Sequence, residues 1–461
     1  MPLIANRTKE IAFLEKALDD GEHLDVYGTT GSGKTILVNH IRESHPLRGY
    51  VHAYIQLHNS VNFISLLEII SSEIDDYVDD QPFFKFREYI DNYSFSETDI
   101  VVNLFSACLQ FALSKDSFLL FFDDTEKVSR NVWEEFEEKI LRFYLEIEKD
   151  ANPKLRLITA GRWRMQWMFF RMRNRVTSCQ LDLLNKESTR EMVQLLASQK
   201  GFDLAQKDEE AMIESIYRLT IGHPKSIELI VKHWTQEYTQ PLDEGSQKKG
   251  IDLLINEFIR PEFIDQAKRL KKGEHYPSSE TVLSFLQHLV PLRFISTKIL
   301  RDTLSHISPF SSFYSQQRSF FFNKLLRTLQ DEHLLDRSED RERYEFSAVF
   351  RHILLEDLKL RDEKKLIKLH QEMAIMCAWM IEQSFVEQNL NFIERLYHVV
   401  SWKKVKKDKG ENFHDLEETV RSEVKQYVRE YGEDKTSLRS LLETDDYFKN
   451  MMNWKSFFRS L

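Results

Sequence analysis

The chain has 461 residues, 42% of them hydrophobic and 30% charged, with a formal net charge of −10. That length exceeds one ordinary domain, and the acidic balance argues against a protein that coats nucleic acid. Glycine (13) and proline (10) are scarce, as suits a helix-rich fold, and Cys108, Cys179 and Cys377 lie too far apart for a zinc site or a disulfide framework. The opening MPLIANRTKE has no basic-then-apolar leader. The longest apolar runs, such as FLLFF at 118–122, fall short of the ~18–20 residues of a membrane span, so no membrane contact and a cytoplasmic location are expected.

In chain order, residues 7–20 read as an amphipathic helix, followed by a short strand from Leu24 to Tyr27. The strand runs into Gly28-Thr29-Thr30-Gly31-Ser32-Gly33-Lys34-Thr35, which meets the pattern G-x-x-x-x-G-K-[ST] in full, and a helical pattern begins at Ile36. In that context the loop's backbone N–H groups and the helix N-terminus converge on phosphate oxygens. Lys34 would neutralise the β/γ charge and the Thr35 hydroxyl would ligate Mg2+. A second strand is predicted over 50–57, then helices from SVNFISLLEII and IVVNLFSACLQFAL. Phe118 to Phe122 form a continuous apolar strand ending in Asp123-Asp124. A carboxylate at the carboxyl end of a buried parallel strand sits beside the phosphate loop. Asp123 would therefore hold Mg2+ through water, and Asp124 would orient or activate the attacking water.

A further strand, LRLITAG at 155–161, leads directly into Arg162, a cation placed to sense the terminal phosphate, and a fifth strand is predicted over 177–184. The alternation is βαβ throughout, which predicts a parallel sheet with helices on both faces: an α/β P-loop NTPase of ASCE-like type. LLNKES at 183–188 lacks the aspartate that grips guanine, and no D-x-x-G follows the Phe118–Phe122 strand, so ATP/ADP is favoured over GTP.

After residue 184 the strand signals stop. The expected organisation is a P-loop ATPase domain at 1–184, a helical lid-like domain at 185–240, a linker with helices at 241–275, a winged-helix domain at 276–347 and a C-terminal helical region at 348–461. QEYTQPLDEGSQKKG (236–250) is the most linker-like stretch, KKGEHYPSSE reads as a turn, and DRSEDRER as the tip of the winged-helix hairpin. GRWRMQWMFFRMRNR (161–175) interleaves arginines with aromatics and reads as an amphipathic helix packing aromatics on the sheet, ahead of partner docking or a nucleic-acid platform. His370 and His398 sit in apolar helical patterns and read as packing residues. The charged tail from about Lys403 reads as a solvated helix face, its YFKNMMNWKSFF end being a candidate for partner docking.

Taken together these segments resemble the STAND class of signal-transduction ATPases, the group with the NB-ARC, NACHT and MalT-like regulators, over roughly residues 5 to 400. The similarity rests on NRTKEIAFLEKAL, FFDD, ITAGR, LDLLNKESTREMVQLL, GHP at 222–224, VPLRFISTKILRDTL and YEFSAVFRHILLEDL, in that order. It implies that Arg7 lies close to the nucleotide, that Arg162 contacts the terminal phosphate and that Pro224 packs against the adenine. Ser347 stands where many members carry a histidine on the ADP β-phosphate, which implies a weaker or differently built ADP lock. The class usually adds long sensor repeats and an effector domain, neither of which is visible here, so an effector supplied by another chain is expected.

The function expected is an ATP/ADP-dependent switch with slow hydrolysis that controls self-assembly into nucleotide-dependent homo-oligomers or engagement of a protein partner, by analogy in a bacterial defence or regulatory system. Asp123-Asp124 lacks the adjacent glutamate of fast ring ATPases, Glu126 standing two places further on, and GHP stands where those enzymes place a second arginine sensor. The alternative is a DNA-associated initiator-like (Cdc6/Orc1-type) ATPase whose winged helix binds DNA through QQRSFFFNKLLRTL; the mixed charges of DRSEDRER speak against it. A small-molecule kinase ranks third, because no acceptor pocket is evident in the sequence.

Overall fold

The computed structural model describes residues 7–44, 49–58, 61–92, 98–147, 154–200, 209–237, 243–265, 282–306, 311–332, 334–337, 343–383, 387–408, 416–431 and 435–459. They fall into two compact units, residues 1–240 and residues 241–461.

The first unit is built on five parallel strands: β1 (His23–Tyr27), β2 (Tyr50–Gln56), β3 (Ser117–Asp123), β4 (Leu155–Gly161) and β5 (Val176–Gln180). Their spatial order is β2-β3-β4-β1-β5, so β4 lies between the strand that feeds the glycine loop and the acidic strand. This is the ASCE-like arrangement. β3 shows why the sheet is buried on both sides. Phe118, Leu120 and Phe122 enter one apolar core, with Leu66, Phe86, Phe105 and Trp133, while Leu119 and Phe121 enter the other, with Leu14, Leu37 and Ile41. Side chains alternate across a strand, so a run of five apolar residues supplies two cores at once.

Helices cover both faces. α1 (Thr8–Asp19) and α2 (Lys34–Ser44) line one side; α3 (Phe63–Asp75), α4 (Phe84–Asn92), α5 (Thr98–Lys115) and α6 (Arg130–Phe136) line the other, and a short α7 (Arg142–Ile147) precedes β4. α3 begins where Asn62 accepts the N–H of Ser65 at 2.9 Å, a side-chain cap that satisfies one of the helix's orphan donors. β5 ends at Gln180, short of the expected residue 184, because the N–H of Leu184 is taken by the carbonyl of Gly222 rather than by β1.

One expectation fails here. Residues 161–175 do not form an amphipathic helix; only Phe170–Arg173 (α8) is helical, and 162–169 is an irregular loop. Buried carboxylates take the backbone donors that a helix would use. Asp25 on β1 accepts the N–H of Met165 at 2.9 Å. Glu137 accepts those of Met168 and Phe169 at 2.7 and 2.8 Å. Arg173 donates to the carbonyls of Trp167 and Met168 at 2.7 and 2.6 Å. Trp167 is buried, whereas Phe170 is 74% exposed. The unit closes with α9 (Lys186–Gln199), α10 (Glu209–Thr220) and α11 (Pro224–Glu237).

In the second unit, the helix Glu244–Leu254 starts at an Asp243 cap that accepts the N–H of Ser246 at 2.7 Å, so 244–250 is helix rather than linker. Residues 238–242 and the predicted turn at 271–280 lie outside the described residues. Helices Val282–Leu289, Thr297–His306 and Ser319–Asp331 precede an antiparallel hairpin, Leu335–Arg337 with Tyr344–Phe346, and Ile295 bridges to Tyr344. That is the helix-helix-helix-hairpin order of a winged helix; residues 338–342 of the expected tip lie outside the described residues. Ser347 stands at the N-cap of helix Ala348–Arg361. His370 and His398 are buried and face each other, Nδ1 to Nδ1, at 2.9 Å.

The carboxyl-terminal segment differs from the solvated face expected. Phe448, Trp454 and Phe457 are buried with Phe392, Leu396, Val420 and Leu438, so the aromatic end docks on this chain's own helices. Trp454 Nε1–H is satisfied by the carbonyl of Phe448 at 2.9 Å. No described helix is long and apolar enough to cross a membrane.

Two outcomes follow. Trp454→Ala should remove about 3–5 kcal/mol from the unfolding of the second unit, read by urea titration. Burial raises the Asp25 carboxyl from 3.8 to about 6. A raised carboxyl contributes fully below pH 4 and loses that contribution as the pH climbs through about 6. Wild-type stability should therefore fall relative to Asp25→Asn across that window, by roughly 1–3 kcal/mol.

Candidate nucleotide site

Because all five strands run the same way, Tyr27, Asp123 and Gly161 finish at one edge of the sheet, and the loops that follow them share a small space. Gly28 to Gly33 form the loop between β1 and α2, and Lys34 and Thr35 open that helix. Gly31 lies at φ +80°, and a side chain there would come within 2.8 Å of both His223 and Lys225.

Lys34 is almost fully buried, its Nζ donating to the carbonyls of Gly28 and Thr29 at 3.0 and 3.1 Å. Desolvation pulls its pKa below the usual lysine value, and the carboxylates of Glu126, Asp123 and Asp124 oppose that shift. The Thr35 hydroxyl donates to Asp123 Oδ2 at 2.8 Å. The same oxygen accepts the phenol of Tyr54 at 2.6 Å, and Asp123 Oδ1 accepts the N–H of Asp124 at 3.0 Å. Thr35 and Asp123 are thus brought together as a pair of oxygen donors, the chemistry that suits Mg2+. Within the loop, the hydroxyls of Thr29, Thr30 and Ser32 are buried and have no hydrogen-bond partner among the described residues. Donors left unmatched in protein fit a bound phosphate.

Asp124 sits in the left-handed conformation, and its carboxylate pairs with Lys127 at 2.6 Å. Arg162 follows β4, and its guanidinium makes an ion pair with Glu126 at 3.3 Å while its backbone N–H donates to the same carboxylate at 3.2 Å. Arg7 is buried and ties α1 to the segment after β5, donating to the carbonyl of Asp182 at 2.6 Å and pairing with Glu10 at 2.7 Å. Pro224 opens α11, where a missing N–H costs nothing.

Three residues at this site were given no role by the motifs, although His223 stands inside GHP. Tyr54 is one; the alternation of β2, with Ala53 and Ile55 in one core, puts it on the opposite face, toward α2. Glu126 is another, set aside in the sequence as too far from Asp123. The third is His223. It is fully buried, and its Nε2–H donates to the carbonyl of Thr30 at 2.7 Å. Its Nδ1 accepts the N–H of Ser226 at 3.3 Å and lies 2.8 Å from the Ser226 hydroxyl, which fixes the neutral Nε2–H tautomer. Burial lowers its pKa to about 4, so the ring stays neutral across the physiological range. Beside it, the N–H of Lys225 donates to the carbonyl of Gly31 at 3.2 Å. The corner that presents these groups contains Ile221 at φ +47°.

Among curated proteins none matches this sequence. The Aeropyrum pernix ORC2 protein, in ADPNP–ADP complexes, is 12% identical, with 77% of this chain and 96% of that chain covered at a TM-score of 0.39. Cdc6p from Pyrobaculum aerophilum is 15% identical, with 78% and 96% covered at 0.37. The Thermotoga maritima RuvB Holliday junction branch migration motor is 14% identical, with 76% and 93% covered at 0.35. Residues 4–138, which hold the glycine loop, Tyr54, Asp123 and Glu126, match the family model of the AAA ATPase domain.

Proposed function

We propose that this chain is an ATP/ADP-dependent switch with slow ATPase activity, of the STAND type, in which the helical segment α9–α11 reads the state of the phosphate loop. The observation that carries this reading is the seat of α11 on that loop: His223 and Lys225 hold the carbonyls of Thr30 and Gly31. In a trans peptide the carbonyl and the following N–H point in opposite directions. Fixing the Thr30 carbonyl toward His223 therefore aims the Gly31 N–H the other way. Any change that phosphate binding imposes on the loop is felt at the first turn of α11, and by linkage any force on α11 alters phosphate affinity.

In this reading Lys34 and Arg162 answer to the β- and γ-phosphates, with Arg162 distinguishing ATP from ADP, and Thr35 and Asp123 hold Mg2+. Arg7, Pro224 and the loop residues Gly28 to Gly33 complete the nucleotide contacts, and Asp124 or a neighbouring carboxylate handles the water. When bound, Mg2+ supplies charge neutralisation to the phosphates. A protein partner or a second copy of the chain receives the output, as in the class whose motifs the sequence resembles.

Lys34→Ala should abolish retention of copurified nucleotide, with an affinity loss of at least about 100-fold by fluorescent-nucleotide titration. His223→Ala, which leaves the half-buried carbonyl of Thr30 without this donor, should weaken ADP and ATP binding roughly 3- to 30-fold. It should also make α9–α11 equally sensitive to limited proteolysis in either nucleotide. Wild-type protein should instead show different cleavage, and a different mass in solution, with ADP and with a non-hydrolysable ATP analogue. Identical behaviour in both nucleotides, with turnover stimulated by DNA, would sink the switch and favour the initiator-like reading.

A further inference from the structure

The order of residues after β3 makes Asp124 the neighbour of Asp123, yet the local backbone turns a different carboxylate inward. Asp124 adopts φ 60°, ψ 44°, a conformation that aspartate tolerates better than most residues. The chain then closes a single 3-10 turn, Thr125–Lys127, with the N–H of Lys127 on the carbonyl of Asp124 at 2.9 Å. Trp133 Nε1–H holds the carbonyl of Thr125 at 3.2 Å. The turn lies directly against the end of β4, where a side chain on Gly161 would come within 2.0 Å of the Thr125 hydroxyl; only glycine permits that approach.

This turn separates the two acids. The Asp124 side chain is 32% exposed and bonded to Lys127. The Glu126 side chain is 9% exposed and lies at the carboxyl edge of the sheet, one oxygen against the Arg162 guanidinium and the other on the Arg162 N–H. Glu126 Oε2 lies 3.4 Å from where a side chain on Gly161 would stand, and the Gly161 carbonyl accepts the N–H of Gly28 at 3.2 Å, so the carboxylate sits beside the start of the glycine loop. A buried ion pair is not an efficient way to stabilise a fold, because desolvation consumes most of the attraction. A carboxylate that is buried, oriented by a backbone donor and beside the glycine loop has the features of a base set beside a reacting phosphate.

We propose that Glu126, reached through the left-handed turn at Asp124, is the general base for hydrolysis of ATP by this chain. The inference rests on the reading of the chain as an ATPase. In the step, a water oxygen bonds to the γ-phosphorus and its proton passes to a Glu126 carboxylate oxygen. The bond from that phosphorus to the β,γ-bridging oxygen breaks, its electron pair stays on ADP, and inorganic phosphate leaves. Glu126 then returns its proton to solvent.

Glu126→Gln tests this, since the amide oxygen still accepts the Arg162 N–H while the basic charge is lost. Full-length wild-type and variant protein are given ATP and Mg2+ in single-turnover assays, and bound nucleotide is quantified after gel filtration. The expected result is a fall in hydrolysis of at least about 100-fold. ATP affinity should stay within about threefold of wild type, and ATP should replace ADP as the nucleotide that remains bound. Hydrolysis by Glu126→Gln at the wild-type rate overturns the assignment. So does the same loss appearing in Asp124→Asn and not in Glu126→Gln, which would make Asp124 the base. A joint loss of hydrolysis and of ATP affinity beyond tenfold would mark Glu126 as a structural anchor, also against the proposal. Wild-type protein that binds no ATP overturns the ATPase reading together with this one, so the two failures are distinguishable.

Discussion

The constraint on which the site depends is the direction of five strands. Had any of β1, β3 or β4 run the other way, Gly28, Asp123 and Arg162 would stand at opposite ends of the sheet. Parallel pairing from Leu24↔Ile158 and Phe121↔Ile158 outward brings their carboxyl ends together. The apolar run Phe118–Phe122 is what commits β3 to the interior, since each of its side chains is buried in one of two cores. The chemistry at the edge is thus a by-product of how hydrophobic residues are distributed in the centre.

Much of this was legible in the residues. The five strands, their parallel sense and the pairing of Thr35 with Asp123 follow from a loop motif whose mechanics are local and from apolar runs whose period is visible. The rest depended on backbone geometry that side-chain patterns do not report. Glu126 was discounted because its distance from Asp123 was counted along the chain; one left-handed residue and a 3-10 turn bring it back to the site. Tyr54 reads as one more aromatic in a strand until the neighbouring strand places Asp123 within 2.6 Å of its hydroxyl. The segment 162–169 reads as helical because arginines and aromatics recur through it, but Asp25, 140 residues before Met165, and Glu137, 31 and 32 residues before Met168 and Phe169, claim its N–H groups. Sequence periodicity cannot reveal a competitor that distant.

The second unit repeats the lesson in a different currency. Its carboxyl-terminal residues are rich in charge, which suggests solvent, yet Trp454 and Phe457 close a core with Phe392 and Val424. Arg293 joins the same region, held by Glu394 and Asp445 at 2.6 and 2.9 Å with its guanidinium 4.7 Å from the Tyr397 ring centre. A guanidinium so placed has both its charge and its planar faces occupied. The charged character of the segment and its role in packing are compatible because charges such as Lys425, Arg429, Lys449 and Lys455 are exposed, while Asp445 is taken up by Arg293.

One dihedral angle sets the corner before α11 apart. Ile221 is β-branched and holds φ at +47°, where a branched side chain crowds its own backbone. Such a residue carries torsional strain on the order of 1–3 kcal/mol, the same magnitude as the coupling free energies by which effectors bias proteins. The corner between α10 and α11 is therefore a detent. The N–H of Ile221 on the carbonyl of Tyr217 at 2.7 Å and the carbonyl of Gly222 on the N–H of Leu184 at 2.9 Å hold the strained residue in place, so the corner beside the glycine loop is a stiff joint and not a slack one.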